Sequence, residues 1–372
     1  MIIRKVYSRL ARQVIKQKGI SLLARISSQY ALINLSRAVG RPICGPLLGI
    51  LIVTYRCNLR CTYCDMPDTA RGECREEFDT AAFCGVIDEL VRLGVKAIVF
   101  TGGEPLLRSD IYELIAYAHK RGIMTHLSTN GMLVGGDDAR KLIASGISSI
   151  SVSLDGSSAE IHERTRKRAG AFSAALSGLS SLVREREVQK ASVYIKVLTV
   201  VNKSNIEDIP NLIHFARKQG SDGVELMPCQ SLFKGTHGYG VVHDSDFIRQ
   251  VDDLIAQISA KDELIGFIEN SASHLKLFKK SFTGKPSPLP CYAGSASLVV
   301  DCYGDVFPCH PWANWGHLPL NIKGRNLESI WQSKEYAERR ALTVQCGSCY
   351  LNCQAELSIM LGIARKLVKK NF

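Results

Sequence analysis

The sequence predicts an α/β fold built on a parallel sheet. Six runs have the length and composition of strands: Leu48–Tyr55, Val95–Thr101, Met124–Thr129, Ser148–Leu154, Val193–Val201 and Gly223–Met227. Strands that are apolar throughout and alternate with helices are typical of a parallel sheet covered by helices. Six units are fewer than the eight that close a full (βα)8 barrel, so the pattern predicts a partial (βα)6 TIM-like barrel.

Helical patterns lie between these strands, at Thr80–Leu93, Asp110–Arg121, Asp137–Ala144, Ala171–Arg184 and Asn205–Lys218. The last of them begins with the spacing of a capping box, formed by Ser204 and Glu207. In barrels of this kind the functional groups lie at the C-terminal ends of the strands. The loops that follow the first four predicted strands are therefore the places where we expect the site.

Composition and pattern divide the chain of 372 residues into five parts. These are a basic amphipathic N-terminal segment at 1–46, the barrel at 47–235, a helical bridge and Pro-rich linker at 236–290, a small cysteine-rich domain at 291–356 and a basic C-terminal helix at 357–372. The linker Pro286–Pro290 marks the main boundary, because proline-rich stretches interrupt regular structure.

Three cysteines follow the first predicted strand directly. Cys57, Cys61 and Cys64 have a spacing that lets three thiolates bind one iron–sulfur cube. A disulfide framework does not suit a long chain without a secretory signal, and zinc sites usually bring cysteines as two Cys-x-x-Cys pairs. A 4Fe–4S cube takes four ligands. The fourth iron is therefore bound from elsewhere in the chain or left open for a ligand that is not protein.

The stretch from Cys57 to Cys64 resembles the Cys-x3-Cys-x2-Cys signature of the radical S-adenosylmethionine (radical SAM) superfamily, with Tyr63 in its aromatic position. Three later stretches resemble the same family in the same order: Thr101–Pro105, Ser128–Gly131 and Ser153–Gly156. The resemblance covers about residues 48 to 230 and implies the same partial barrel.

The resemblance implies a catalytic 4Fe–4S cluster on Cys57, Cys61 and Cys64, whose open iron binds S-adenosylmethionine. One electron then cleaves this cofactor to methionine and a 5′-deoxyadenosyl radical, which removes hydrogen from an unactivated carbon. An external electron donor of the flavodoxin or ferredoxin type is implied as well. The implied cofactor-binding residues are Tyr63, Gly102, Gly103, Glu104, Ser128, Asn130, Ser153, Asp155 and Arg166.

Two of these assignments have a physical argument beside the resemblance. Gly102 and Gly103 allow the backbone to approach a ligand closely, and the carbonyl-rich turn with Glu104 suits an ammonium group. Arg166 lies four residues after His162 and so shares its helix face. By resemblance this arginine meets the cofactor carboxylate, and an ordinary exposed helical arginine is the alternative.

A second group of cysteines lies near the C-terminus: Cys291, Cys309, Cys346, Cys349 and Cys353. Alternating residues on both sides of Gly304 predict a hairpin that brings the first two together. The pattern resembles the C-terminal SPASM/twitch extension of radical SAM enzymes. The small number of thiols favours the shortened twitch form, with one auxiliary 4Fe–4S cluster on the first four cysteines. Cys353 is a candidate to replace one of the four, and structural zinc is the alternative metal.

The positive charge is concentrated at the N-terminus, because residues 1–46 hold nine basic residues and no Asp or Glu. Residues 2–16 predict a helix with Ile3, Val6 and Leu10 opposite its basic side chains. Such a helix is typical of an anionic membrane surface, and packing on the protein's own domain is the alternative. Nucleic acid is not expected, since no aromatic-rich basic platform is present. The apolar runs are too short for a signal peptide or a membrane span.

Three functions fit these observations. The first is a membrane-associated radical SAM enzyme, cytoplasmic and peripheral on the inner membrane face, that acts on a lipid, isoprenoid or lipid-linked substrate. The second is a radical SAM enzyme that modifies a peptide or a small metabolite. The third is a non-catalytic iron–sulfur binding protein, which would require a dead cofactor pocket although all the motifs are intact. The auxiliary cluster has three candidate roles: to accept the substrate electron, to form a thioether or to relay electrons.

Overall fold

The computed structural model describes residues 20–68, 74–230, 244–315 and 318–370. Within these residues nine strands form one sheet: β1 Leu48–Thr54, β2 Ala97–Gly102, β3 Met124–Thr129, β4 Ser149–Ser153, β5 Tyr194–Val201, β6 Gly223–Pro228, β7 Ser297–Asp301, β8 Asp305–Phe307 and β9 Leu320–Asn321. The order across the sheet is β6-β5-β4-β3-β2-β1-β7-β8-β9. Strands β1 to β6 are parallel neighbours in chain order, which confirms the predicted α/β partial barrel.

The described helices are α1 Ile20–Val39, α2 Thr80–Arg92, α3 Ile111–Lys120, α4 Gly136–Ala144, α5 Ala159–Arg166, α6 Ala171–Val188, α7 Ile209–Lys218, α8 Ser245–Ala260, α9 Asp262–Ile265, α10 Ala272–Leu275, α11 Phe278–Phe282, α12 Leu327–Gln332, α13 Lys334–Val344 and α14 Asn352–Lys370. Helices α2 to α7 follow the strands of the barrel in turn. Each covers the sheet with a buried apolar stripe, such as Phe83, Val86, Ile87 and Leu90 of α2. The apolar runs and helical patterns of the sequence therefore lie where they were predicted.

The cysteine-rich C-terminal region joins the barrel through the sheet itself. Strand β7 pairs parallel with β1, from Leu48 opposite Ser297 to Ile52 opposite Asp301. Strands β7 and β8 form the predicted antiparallel hairpin, and Gly304 makes its turn with a φ of 84°. A Cβ at this glycine would lie 2.5 Å from the Phe78 ring, so the turn also requires its small size. The domain boundaries given above stay predictions.

The predicted capping box at Ser204 is wrong. The Ser204 hydroxyl donates to the Asn202 side chain at 2.5 Å, and the Glu207 carboxylate accepts a hydrogen bond from Gln250 at 2.7 Å. A 3₁₀ turn, Ile206–Asp208, precedes α7 instead. The local hydrogen bond to Asn202 competes with the cap, because short polar side chains bond readily to neighbours within a few residues.

Helix α1 packs on the protein itself. Its Ile33 is buried with Leu47, Tyr292 and Leu361 in a small apolar cluster that joins α1 to the C-terminal helix α14. The Tyr30 hydroxyl lies 3.5 Å from the Met360 sulfur across the same contact. This part of the predicted N-terminal segment therefore packs on the protein's own domain. The predicted amphipathic helix at 2–16 lies outside the described residues.

Among the described helices, none is both long enough and apolar enough to cross a membrane. The predicted basic C-terminal helix is the end of α14, whose Leu361 is buried against α1. The basic side chains at 365–370 lie beyond the side chains that the structure describes.

The contact between α1 and α14 can be tested with two residues of one helix. Ile33 is 0% exposed and Leu35 is 49% exposed. We expect Ile33→Ala to cost about 2–4 kcal/mol of docking free energy, because it leaves a cavity, and Leu35→Ala to cost less than about 0.5 kcal/mol. Hydrogen exchange of the α1 amides measures the difference. Equal exchange in the two variants would mean that α1 is not held by this cluster.

Candidate active site

The site lies at the C-terminal ends of β1 to β4, where the sequence motifs were expected. The loop after β1 carries Cys57, Cys61 and Cys64, and it is fastened to the region around α5. The Thr62 amide donates to the Thr165 carbonyl at 2.9 Å, and the Arg168 guanidinium donates to the Asn58 carbonyl at 2.8 Å. These bonds fix both ends of the loop although the loop itself has no regular structure.

The three thiols are free and partly buried. Burial raises the pKa of Cys57 to about 11 and that of Cys64 to about 12, and it also raises the pKa of Cys61. The thiols lie near enough for the charge of one to raise the pKa of another. Thiols in such surroundings keep their protons at pH 7 unless a cation binds them, and a metal centre would supply that positive charge. Among the described residues the side chains do not form a preformed site for a single metal ion.

The turn of Gly102 and Gly103 packs against the start of the cysteine loop. The Gly103 amide donates to the Thr54 carbonyl and the Glu104 amide to the Arg56 carbonyl, each at 2.8 Å. A Cβ at Gly102, which has a φ of 149°, would lie 2.2 Å from the Thr54 carbonyl oxygen, and one at Gly103 would lie 2.2 Å from that of Arg56. The close approach that these glycines allow is therefore made by the protein's own backbone. Their cofactor contacts stay predictions.

Glu104 links strands β2 and β3 below this turn. Its carboxylate is fully buried and accepts hydrogen bonds from the Thr129 hydroxyl at 2.8 Å, the Asn130 amide at 2.7 Å and the Leu106 amide at 3.1 Å. Burial raises the pKa of Glu104, and the three donors oppose this shift. The Asn130 side chain in turn donates to that of Asn58 at 2.7 Å. Glu104 and Asn130, both predicted site residues, thus support the cysteine loop through Asn58.

Asp155 and Arg166 form a buried ion pair beside the cysteine loop. The Arg166 Nε lies 2.7 Å from the Asp155 Oδ2, and both side chains are buried. The guanidinium lies 5.6 Å from the centre of the Tyr63 ring, and its Nη1 lies 3.8 Å from the Cys61 sulfur. The alternative of an exposed helical arginine is therefore wrong. The charge of this arginine lowers the pKa of the Cys61 thiol, one predicted cluster ligand, against the effect of burial.

Donors from the protein itself occupy the acceptor positions of the Asp155 carboxylate. It accepts from the Tyr63 hydroxyl at 2.5 Å, the Thr165 hydroxyl at 3.1 Å and the Val200 amide at 3.0 Å, in addition to its ion pair. The Arg166 charge helps to hold the pKa of this carboxyl below its usual value in spite of burial. The structure gives Asp155 a positioning role, and the cofactor contact implied for it stays a prediction.

His162 of α5 contacts the backbone of the same aspartate. The Asp155 backbone amide donates to the His162 Nδ1 at 3.1 Å. Burial lowers the pKa of this histidine to about 4, so the ring is neutral at pH 7. The shared helix face of His162 and Arg166 therefore brings both residues to one aspartate.

The sequence reasoning missed a polar wall inside the barrel. Ser128 and Ser153, two predicted site residues, end the strands β3 and β4, and below them His126 bonds to Ser149 at 2.8 Å and Ser151 at 3.2 Å. Burial lowers the pKa of His126 to about 3. The signal was present in the sequence, because polar residues occur at every second position of apolar strands.

An ion pair continues this wall on the next two strands. Lys196 of β5 lies 2.5 Å from Glu225 of β6, and the Asn352 side chain of α14 donates to the same carboxylate at 2.9 Å. The charge of Glu225 raises the pKa of Lys196 and that of Lys196 lowers the pKa of Glu225, so both are ionised at pH 7. The barrel interior is thus charged and hydrogen-bonded.

The five C-terminal cysteines also come together. Cys291, Cys346 and Cys349 line one small cavity with Ser287 and Gln354. Cys309 is buried, and its pKa is raised by burial and by the nearby thiols of Cys291, Cys346 and Cys353. Cys353 is exposed at the start of α14. The choice of four ligands among the five stays a prediction.

Comparisons with known proteins settle the family. The profile of the radical SAM superfamily matches residues 51–216, and that of the SPASM iron–sulfur cluster-binding domain matches residues 291–354. This chain is a radical SAM enzyme with a C-terminal SPASM domain. Its cofactors are therefore S-adenosylmethionine and iron–sulfur clusters, bound at the barrel and at the SPASM domain. The resemblance seen in the motifs is confirmed.

Characterised relatives cover most of the chain. The AdoMet-dependent heme synthase of Methanosarcina barkeri is 27% identical over 80% of this chain and 86% of its own length. The PqqA peptide cyclase of Xanthomonas campestris is 27% identical over 78% of this chain and 74% of its own length. The Fe-coproporphyrin III synthase of Methanosarcina barkeri is 29% identical over 75% and 72%.

Solved structures share the fold. Streptococcus suis SuiB bound to its precursor peptide SuiA superposes with a TM-score of 0.65 at 17% identity, over 83% of this chain and 72% of SuiB. The structure of anSMEcpe with bound AdoMet gives a TM-score of 0.59 at 20% identity, over 80% of this chain and 84% of anSMEcpe. At these identities the likeness shows the arrangement of the radical SAM barrel and the SPASM domain.

The ion pair beside Cys61 predicts different costs for two arginines of α5. Arg166→Met leaves a buried carboxylate without its cation, which we expect to cost about 3–5 kcal/mol. Arg164→Met removes an exposed pair with Glu160 at 2.8 Å and should cost less than about 1 kcal/mol. Urea unfolding of the anaerobically reconstituted enzyme, with iron retention measured against a chelator, compares them. Equal stability and equal iron retention would exclude a positioning role for Arg166.

Proposed function

We propose that Cys57, Cys61 and Cys64 hold the catalytic 4Fe–4S cluster and that the enzyme removes a hydrogen atom from a polar substrate in the barrel interior. The observation that carries the first part is the set of three free, partly buried thiols beside Arg166 after the end of β1. The observation that carries the second part is the wall of hydrogen-bonding and charged side chains below them.

The chain's own residues hold the reacting groups in position and exclude water. When bound, the cluster and S-adenosylmethionine supply one-electron cleavage and hydrogen-atom abstraction. Arg166 keeps a positive charge beside Cys61, and Asp155 holds both Arg166 and Tyr63 in place. Glu104 and Asn130 hold the loop from the opposite side. No side chain is needed as an acid or base for the cleavage, so the work of the protein is to hold the reacting groups close and keep out water.

The barrel wall supports a peptide or a small polar metabolite as the substrate. A lipid or isoprenoid chain would gain little from a wall that carries His126, Lys196 and Glu225, because polar groups favour partners that can hydrogen-bond. The names of the relatives, a peptide cyclase and two enzymes of heme and Fe-coproporphyrin synthesis, agree with a polar substrate. The lipid hypothesis has no support among the described residues.

Two further expectations belong to this proposal. An external electron donor of the flavodoxin or ferredoxin type would supply the electron for the catalytic cluster on Cys57, Cys61 and Cys64. The C-terminal cysteines would hold an auxiliary cluster that could accept or relay an electron. Peripheral association of residues 1–46 with an anionic membrane stays a prediction, because its helix at 2–16 lies outside the described residues.

The metal load tests the first part of the proposal. One catalytic and one auxiliary cluster of four irons imply about eight irons per anaerobically reconstituted chain. Changing Cys57, Cys61 and Cys64 together to Ala should leave about half of the iron and abolish formation of 5′-deoxyadenosine from S-adenosylmethionine. Iron analysis and chromatography measure both. Full iron in the triple variant, or deoxyadenosine from it, would place the catalytic cluster elsewhere. A wild-type protein with full iron and no cleavage would support the non-catalytic binding protein.

The barrel wall tests the second part. The double variant Lys196→Met with Glu225→Gln removes both charges together, so that neither is left unpaired. We expect basal cleavage of S-adenosylmethionine to persist while stimulation by substrate is lost. Iron–coproporphyrin III and the PqqA peptide are the first substrates to try in each protein. Lys203→Met, which removes an exposed lysine paired with Asp244, is the matched control. Stimulation that survives in the double variant would show that the wall does not bind the substrate.

A further inference from the structure

A cavity of about 340 Å³ opens at the opposite end of the barrel from the cysteine loop. Its lining includes Cys44, which precedes β1, and Ser295, which precedes β7, so it lies at the N-terminal ends of these strands. Helix α1 and the helices α12 and α13 of the SPASM domain form its other walls. A ligand here cannot meet the hydrogen-abstracting group, because the motifs all follow the C-terminal ends of the strands.

The charge of this cavity is strongly positive. Arg37, Arg41 and Arg340 line it, and its lining includes no Asp or Glu among the described residues. The C-terminal ends of α1 and α13 also reach it, and each contributes a partial charge of about −0.5. Three guanidinium groups against two helix ends leave a net charge of about +2. The segment before α1 adds no carboxylate, since residues 1–46 hold no acidic residue.

Two of the three guanidinium groups are held in fixed positions. The Arg340 Nε donates to the Gly294 carbonyl at 2.7 Å, its Nη2 donates to the Trp331 carbonyl, and its Nη1 has no hydrogen-bond partner among the described residues. Burial lowers the pKa of Arg340 to about 10, so it stays charged at pH 7. Arg37 lies 4.2 Å from the centre of the Tyr292 ring and donates to the Cys291 carbonyl.

Arg41 is different, because it is exposed and the structure gives it no ion pair among the described residues. Neutralising two helix ends explains one of the three positive charges but leaves the other two unbalanced. A guanidinium group fixed in place with a free N–H, as at Nη1 of Arg340, donates well to a phosphate or carboxylate oxygen. The remaining lining, which includes Ala337, Ala341 and Val344, can cover a small organic body.

We propose that this cavity binds a small organic anion with two phosphate or carboxylate groups, at a site separate from the active site. The size suits one metabolite-sized ligand. Arg37 connects the site to Cys291, the first cysteine of the auxiliary group, through a single hydrogen bond. A bound anion would therefore hold α1 against the SPASM domain and place negative charge on the side of the cavity where Arg37 contacts Cys291.

The test uses the full-length, anaerobically reconstituted enzyme and two probes that bind iron weakly. Fructose 1,6-bisphosphate supplies phosphates and isophthalate supplies carboxylates, so the two arms distinguish the anionic group. Isothermal titration calorimetry at constant ionic strength should show one saturable site per chain for at least one probe. Arg41→Glu should weaken this binding by about tenfold or more, because it reverses a charge that faces the ligand. Basal cleavage of S-adenosylmethionine should not change.

Lys280→Glu is the matched control, since it makes the same change of charge at an exposed residue that does not line the cavity. It should bind the probe as the wild type does. Absence of saturable binding of either probe to the wild type would overturn the proposal. Equal weakening by Arg41→Glu and Lys280→Glu would overturn it as well, because binding would then follow net charge alone. Neither result bears on the cleavage reaction, which is measured separately.

Discussion

The ion pair between Asp155 and Arg166 is the interaction on which the active site depends. A cysteine loop without regular structure must hold three thiols in fixed positions, and its own backbone cannot do so. The buried pair solves this by joining β4 and α5 to Tyr63 and Cys61 of the loop. Such a pair is costly to bury, so it is retained only where its partners satisfy most of the remaining donors and acceptors. The tyrosine, the threonine and the Val200 amide provide this around Asp155.

The second constraint is the continuity of the sheet. Because β7 pairs with β1, the SPASM domain and the barrel share one set of backbone hydrogen bonds. The catalytic cysteines follow β1 at its C-terminal end. Cys291 precedes β7, and Cys309 follows the antiparallel β8, so both lie towards the other end of the same strands. The two cysteine groups are therefore held at opposite ends of the same strands by one continuous sheet.

The sequence predicted the barrel because its signals are local. Apolar strands, amphipathic helices and the position of a motif after a strand depend on neighbours in the chain. The roles of Glu104 and Asp155 could not be predicted in this way, since their partners at Thr129, Val200 and Arg166 come from other elements. The capping box predicted at Ser204 shows the same limit at short range. Its hydroxyl donates a hydrogen bond to the Asn202 side chain instead of capping the helix. The alternation of polar and apolar residues in β3 and β4 was visible in the sequence. Only the assembled sheet shows which of the two faces lines the barrel interior.

Helix α14 spans the open side of the six-stranded barrel. Asn352 donates to Glu225 of β6, and Gln354, two residues later, donates to Ser297 of β7 at 2.8 Å. These strands are separated by five others in the sheet, so one helix turn can reach both only if the sheet curves round and α14 spans its open side. Cys353 lies between the two contacts, and the helix therefore joins the auxiliary cysteines to the barrel wall. The same turn of helix thus carries both Cys353 and Asn352, the residue that contacts Glu225.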